Sequence, residues 1–326
     1  MIASNNRELF DREVTVVPDV ADVRRLAAEA KASNGTASAA LRMKLAARLA
    51  HAAFLAPDRV AEIYDALAEG WRGEPVMAAP IATLGLPPSM VPDGLWDAFW
   101  SVVEDGRAGK LDALGVTSRT AGLGALQDAE FQDRVVQTSF TYEGVEAIAA
   151  LPLPRRHTLE ELGACPENSL GRLFYHVIVD NSFDLEVLDR DAIGLSKLPS
   201  PLDYLNTRML QAHDLWHLVG GYETTSLHEI AISAFQMSQF GHSYSAQFLA
   251  MTAVIGAHGE AMAYPVLMDT ITSAWVHGRQ TPPMITIDWE NVWTNTLEEV
   301  REQFGIKAYE RPYPANLIEM AMAAAA

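Results

Sequence analysis

Leu41, Leu45, Leu49 and Ala53 recur at every fourth position of SAALRMKLAARLAHAAFLA (38–56). That spacing lays them along one stripe of an α-helix. The same period returns through most of the chain, and alternation of β-branched residues is scarce, so the sequence reads as an all-α, multi-helix bundle. Helices are expected over 19–34, with Asp19 as cap and Gly35 as stop, over 38–56, and over 57–70, with Pro57 at the start and Gly70 at the end. A short one follows at 95–104. Further helices are expected at 125–150, 158–163, 167–178, 203–219, 225–255, 258–278 and 290–304. FYHVIVD (174–180) is the ambiguous piece and also fits a buried strand. GEPVMAAPIATLGLPPSMVPDG and the stretch 105–125 read as irregular. They divide the chain into an N-terminal helical region (1–125), a helical domain (126–315) and an Ala-rich tail (316–326) whose unanchored end should fray.

The charge balance narrows the function classes. Lys and Arg number 24 against 42 Asp and Glu, a formal charge of −18. Such a chain repels phosphate backbones and anionic lipid headgroups, which argues against nucleic-acid binding and leaves only apolar contact with a membrane. One cysteine, Cys165, excludes an intramolecular disulfide and fits a reducing compartment. The N-terminus lacks the apolar core of a signal peptide, and no run reaches the ~18 apolar residues of a spanning helix. A cytoplasmic location is expected.

Chemistry concentrates in HDLWHLVGGYETTSLHE (213–229). DYLNTRMLQAHDLWHLV lacks Gly and Pro and should be helical until Gly220 and Gly221 end it. On that helix His213 and His217 differ by ~40° and stand one turn apart, with Asp214 ~60° from His217. Thr224, Thr225 or Ser226 caps the next helix, and the short turn favours an antiparallel hairpin that returns Glu229 to the depth of His217. Two imidazoles and one or two carboxylates then converge. Nitrogen with carboxylate oxygen suits zinc, iron, manganese or cobalt. Plainer readings stand beside this one. Glu229 completes a capping-box spacing with Ser226, and His217 complements a helix C-terminus. Trp216 reads as core or pocket wall. His228 should point elsewhere, in a solvated or capping role.

Three chemistries fit the constellation. HDLWH imitates the zinc-peptidase H-E-x-x-H with a shorter acid. His213-Asp214 could open a metal-dependent phosphohydrolase site of HD type, with His176 and Asp269 as further ligands. Third, H-D-x-x-H followed by eleven residues and Glu229 resembles the signature of the coenzyme Q (ubiquinone) biosynthesis protein 4 family. The flanks are similar too: YLNTRMLQAHDLWH with Arg208, SLGRLFYHVIVDNSFD (169–184), and the closing G-R, W-E and R-x-x-x-G-I pattern within 274–306. The likeness spans about 130–310, and the long loop at 70–125 departs from it.

The resemblance implies an all-helical, dimeric protein peripheral to a membrane, working with other ubiquinone-pathway proteins. It implies action on a polyprenylated aromatic acid, in the step that replaces the ring carboxyl at C1 by hydroxyl. His213, Asp214, His217 and Glu229 would hold the metal, zinc first by family, with Asp214 as ligand or as base. No flavin or nicotinamide motif supplies an electron acceptor; oxygen at a redox-active metal would. Met237, Phe240, Phe248, Leu249 and Met251 are candidate lining for a prenyl tail, or ordinary core. A lipid-binding scaffold for pathway enzymes is the alternative that needs no catalysis.

Overall fold

The computed structural model describes residues 2–111 and 113–325. The all-α expectation holds: sixteen α-helices and no strand occur among the described residues. In chain order they are α1 (Ile2–Glu13), α2 (Val20–Ala32), α3 (Ala39–Leu55), α4 (Val60–Arg72), α5 (Leu95–Arg107), α6 (Ala113–Gly124), α7 (Ala129–Ser139), α8 (Val145–Ala149), α9 (Leu159–Gly163), α10 (Leu170–Asp180), α11 (Leu202–Gly220), α12 (Ser226–Phe240), α13 (Ser243–His258), α14 (Tyr264–Gln280), α15 (Leu297–Phe304) and α16 (Leu317–Ala325). None of the described helices is long and apolar enough to cross a membrane.

The main packing is a closed circuit. α2 lies on α4, α4 on α14, α14 on α12, α12 on α13, α13 on α3, and α3 returns to α2. α1 covers α3, while α5 and α6 lie against α13. One apolar cluster runs through the circuit from Phe10 to Tyr309, so helices from both halves of the chain share a core. α3 sits deepest: every residue from Leu45 to Leu55 is buried. Its alanines permit close approach on all sides, and its buried cations end neighbouring helices. The Arg42 guanidinium donates to the carbonyls of Ala257 (3.1 Å) and Gly259 (3.1 Å) at the end of α13. Arg48 donates to Glu13 O at the end of α1 (2.6 Å), and His51 Nδ1–H to Val14 O (2.8 Å). Carbonyls that a helix end leaves without partners are thereby satisfied away from water.

Several expectations need correction. Gly70 does not stop a helix. It lies inside α4, which runs on to Gly73, and a Cβ at Gly70 would stand 2.1 Å from the carbonyl oxygen of Arg24 on α2. The glycine is there for close helix contact. FYHVIVD is the end of α10, not a strand, with Phe174 and Ile178 forming its buried stripe. Within 105–125, read as irregular, residues 113–124 form α6, supported by α5 and α13. The stretch 225–255 is two helices, broken at Gly241, and 125–150 is likewise divided between α7 and α8. The segment 73–93 is irregular as expected. It is strapped to the bundle by Leu84 N–H to Asp58 (3.2 Å), Ser89 N–H to Leu55 O (2.7 Å) and Arg279 to Ala79 O (2.6 Å).

Candidate metal centre

α11 runs without Gly or Pro until Gly220. Gly221 follows in the left-handed region (φ 78°), and both its N–H and that of Tyr222 donate to His217 O. A side chain there would strain the backbone and meet Ala308 Cβ at 2.9 Å. The last carbonyls of α11 are capped by Arg301 of α15, which donates to Val219 O (2.9 Å) and Leu218 O (3.1 Å). Deeper in the helix, Arg208 makes a bidentate pair with Glu290 (2.9 and 3.1 Å) and also donates to Gln211. Arg208, Glu290 and Arg301 belong to the flanking segments that carried the resemblance. In the fold they hold α11 in place.

The turn after Gly221 brings the start of α12 to the histidines of α11 through side chains, without the lengthwise helix packing expected of an antiparallel hairpin. Glu229 Oε2 lies 3.3 Å from His213 Nε2, and Glu229 Oε1 lies 3.3 Å from His217 Nε2. The two Nε2 atoms are themselves 3.3 Å apart. One ligand atom each from His213, Asp214 and His217 falls within a 4.8 Å span. Glu229 thus touches both imidazoles, while Asp214 groups with the two histidines from their own helix. α12 itself packs most extensively on α14, and its contact with α11 is carried by side chains, including Trp216 edge-on to Phe235 and Phe240. Trp216 is fully buried in the apolar core, the core alternative of the expectation. The cluster has a closed side and an open side: the His217 side chain is 2% exposed, those of His213 and Glu229 35% and 45%.

The capping-box reading of Glu229 fails. Thr225 is the N-cap residue without a side-chain cap, its hydroxyl donating instead to Ala315 O (2.8 Å). The Ser226 N–H is taken by Glu319 of α16 (2.9 Å), which also ties the chain's tail to this end of α12. Glu229 is left free to face the histidines.

The electrostatics couple Glu229 to the two imidazoles. Burial works to raise the Glu229 carboxyl, but hydrogen bonds and charge from both histidines outweigh it and hold it well below the usual carboxylate range. At His213 burial works downward, and Glu229 and Asp214 together outweigh it, so the imidazole is raised. Burial pushes the Asp214 carboxyl up against the pull of the two histidines. The histidines are also oriented for ligation. A carbonyl only accepts, so Glu223 O, 3.1 Å from His217 Nδ1, fixes a ring proton there and turns Nε2 toward Glu229. The donor set and its orientation fit a divalent ion.

Sequence reasoning missed the supporting residues. His228 is buried rather than solvated, and its Nδ1 accepts the Glu223 N–H (2.7 Å), so the loop peptide is held from both ends. Gln236 lies 2.8 Å from His213 Nδ1. It follows Glu229 by seven residues, two turns along the same face, which was the available signal. His242 opens α13 near His213. Burial, reinforced by His213, holds it at about 3 and so neutral, with Nδ1 2.9 Å from Ser245 Oγ.

Other candidates lie elsewhere. His176 pairs with Asp180, and Asp269 is occupied by Lys31, Trp71 and Tyr313, so the extra ligands of a phosphohydrolase set are not assembled. Met237, Phe240, Leu249 and Met251 are core, and Phe248 is half-buried against Tyr244.

Comparison with known proteins gives the chain a family. The family model for the coenzyme Q (ubiquinone) biosynthesis protein Coq4 matches residues 97–310. The human mitochondrial ubiquinone biosynthesis protein COQ4 homolog is 25% identical over 244 residues, covering 71% of this chain and 84% of its own. The Drosophila ananassae homolog, also named mitochondrial, is 27% identical over 200 residues, 60% and 70% of the two chains. A crystal structure from Nostoc punctiforme, provisionally assigned to ubiquinone biosynthesis, shares the fold with TM-score 0.51 at 22% identity, over 66% of this chain and 98% of that one. With the family model matching well over half of its length, the chain belongs to the Coq4 family of ubiquinone biosynthesis proteins.

Proposed function

We propose that this Coq4-family chain binds one divalent metal ion through His213, His217 and one or both of the carboxylates of Asp214 and Glu229. In this reading it acts on a polyprenylated aromatic acid, in the step that replaces the ring carboxyl at C1 by hydroxyl. The observation that carries the proposal is the single carboxylate of Glu229 bridging both Nε2 atoms at 3.3 Å. Zinc, iron, manganese and cobalt all accept two imidazoles with carboxylates; the bound ion would supply a Lewis acid for the substrate carboxylate and a neighbouring phenol oxygen.

The chain's own residues divide the work. His217, sealed on the closed side, anchors the centre, and the open side at His213 and Glu229 is where a substrate carboxylate would enter. Asp214 and Glu229 both stand in reach of the imidazoles, and whichever carboxylate is not on the metal is free to move a proton. The conversion breaks the bond between the ring and its carboxyl carbon and releases CO₂. It takes one oxygen atom from dioxygen, while two electrons and two protons carry the other to water. The electrons come from a redox partner, which fits a protein working beside other ubiquinone-pathway proteins. The prenyl tail would keep it, as a homodimer, at a membrane surface.

Metal analysis of the gently purified protein tests the reading, with about one ion per chain expected and its loss in His213→Ala and Glu229→Ala. Wild type, but not these variants, should rescue a cell lacking the C1 step. Rescue by a metal-free variant would remove the catalytic part and leave a scaffolding role.

A further inference from the structure

We propose that Gln236 is the positioning residue for His213: the facing end of its side-chain amide sets which ring nitrogen carries the proton, Nε2 with the NH₂ toward the ring as it stands here, and Nδ1, with Nε2 free for a metal, when the amide is reversed. The inference rests on the metal reading above and adds a residue to it. Gln236 is 3% exposed, and its amide nitrogen lies 2.8 Å from His213 Nδ1.

A neutral imidazole has one N–H and one lone pair, so a histidine that ligates through Nε2 carries its proton on Nδ1. For His217 that proton is fixed by the Glu223 carbonyl, which can only accept. His213 meets a side-chain amide instead, and an amide has a donor end and an acceptor end of nearly the same size and shape. With its NH₂ toward the ring, Gln236 donates to Nδ1; the proton then sits on Nε2 and is offered to Glu229 Oε2, 3.3 Å away. Turned end for end, the amide accepts from Nδ1–H, and Nε2 presents a lone pair. The ring keeps one orientation in both patterns. A methionine would support neither pattern, and a glutamate would support only the one that binds metal.

The test uses the full chain and zinc as probe, titrated in competition with a chromophoric chelator. Gln236→Met should weaken zinc binding about 10–100-fold, the usual cost of losing a partner behind a ligating histidine. Gln236→Glu should bind as tightly as wild type or more tightly. Equal affinity in Gln236→Met and wild type overturns the inference and leaves the metal reading standing. A wild type that takes up no divalent metal overturns both. Imidazole ¹⁵N spectra of the zinc-loaded wild type need no variant to fold. They should show His213 protonated at Nδ1, and protonation at Nε2 overturns the inference.

Discussion

His217 and Glu223 are joined by a 3.1 Å hydrogen bond from the imidazole Nδ1–H to a loop carbonyl. Because His228 takes the N–H of the same Glu223, this loop residue is held between two rings. Its side chain is further paired with Arg311. The loop exists in this form because Gly221 turns the chain in the left-handed region. Gly221→Ala should therefore cost about 1–2 kcal/mol in backbone strain alone. It should also weaken metal uptake by releasing the Glu223 carbonyl. Chemical unfolding and a zinc titration on the same variant check both, and retention of wild-type affinity would show that the loop does not orient His217.

Removing Arg208 should be severe. Arg208→Ala leaves Glu290 largely buried with its bidentate partner gone, an expected loss of about 3 kcal/mol. The double variant Arg208→Met, Glu290→Leu should lose less than Arg208→Ala alone, because no uncompensated charge remains. Urea unfolding of the three proteins decides it. A single variant as stable as wild type would mean that water reaches Glu290 freely.

The same cluster makes stability fall with acid in two steps. Burial, with Arg208 and Arg155 adding to it against Glu290, holds His157 at about 4 instead of 6.5. The unfolded chain therefore takes up the proton first, and this contribution, complete above pH 6.5, is lost as pH falls toward about 4. Glu290 is drawn down to about 2 from 4.5, because its hydrogen bonds to Arg208 and the charge of that residue outweigh burial. Its contribution is complete above pH 4.5 and goes at lower pH, toward about 2. His157→Phe keeps a ring against Trp293, where the imidazole sits edge-on at 5.1 Å. Unfolding midpoints at about pH 7 and about pH 5 should differ less in this variant than in wild type. An unchanged difference would place the acid sensitivity elsewhere.

Two glycine substitutions should move stability in opposite directions. Gly122 in α6 has open space where a Cβ would go, so Gly122→Ala should gain up to ~1 kcal/mol of helix propensity. Gly70→Ala offers the same propensity but drives a methyl onto the Arg24 carbonyl, and overpacking of that kind costs about 1–3 kcal/mol. Thermal unfolding should show one midpoint rising and the other falling.

The fold class and the approach of Glu229 to His213 and His217 were legible because both rest on local periodicity. Two histidines four apart share a helix face whatever the rest of the chain does, and a short turn returns Glu229 within reach. What was not legible depends on distant partners. ALGVTSRTAGLG reads as loop by composition, yet becomes α6 against α5 and α13. The β-branched run in α10 is helical because Phe174 and Ile178, four apart, have a core to face. Glu223 acts through backbone atoms that any residue carries, so its identity holds no signal. The Ser226–Glu229 spacing gave a local reading that Glu319, ninety-three residues from Ser226, overrules.

α14 stands between α4 on one side and α12 on the other. α4, outside the stretch that the family model matches, therefore reaches the metal-site helix α12 through one intervening helix. It acts as a buttress rather than an appendage. A chain trimmed to the matched residues would expose the α14 face that carries Trp275 and Asp269, which now bond to Asp65 and Trp71. The metal-site helix α12 would then rest on a support with one side bare.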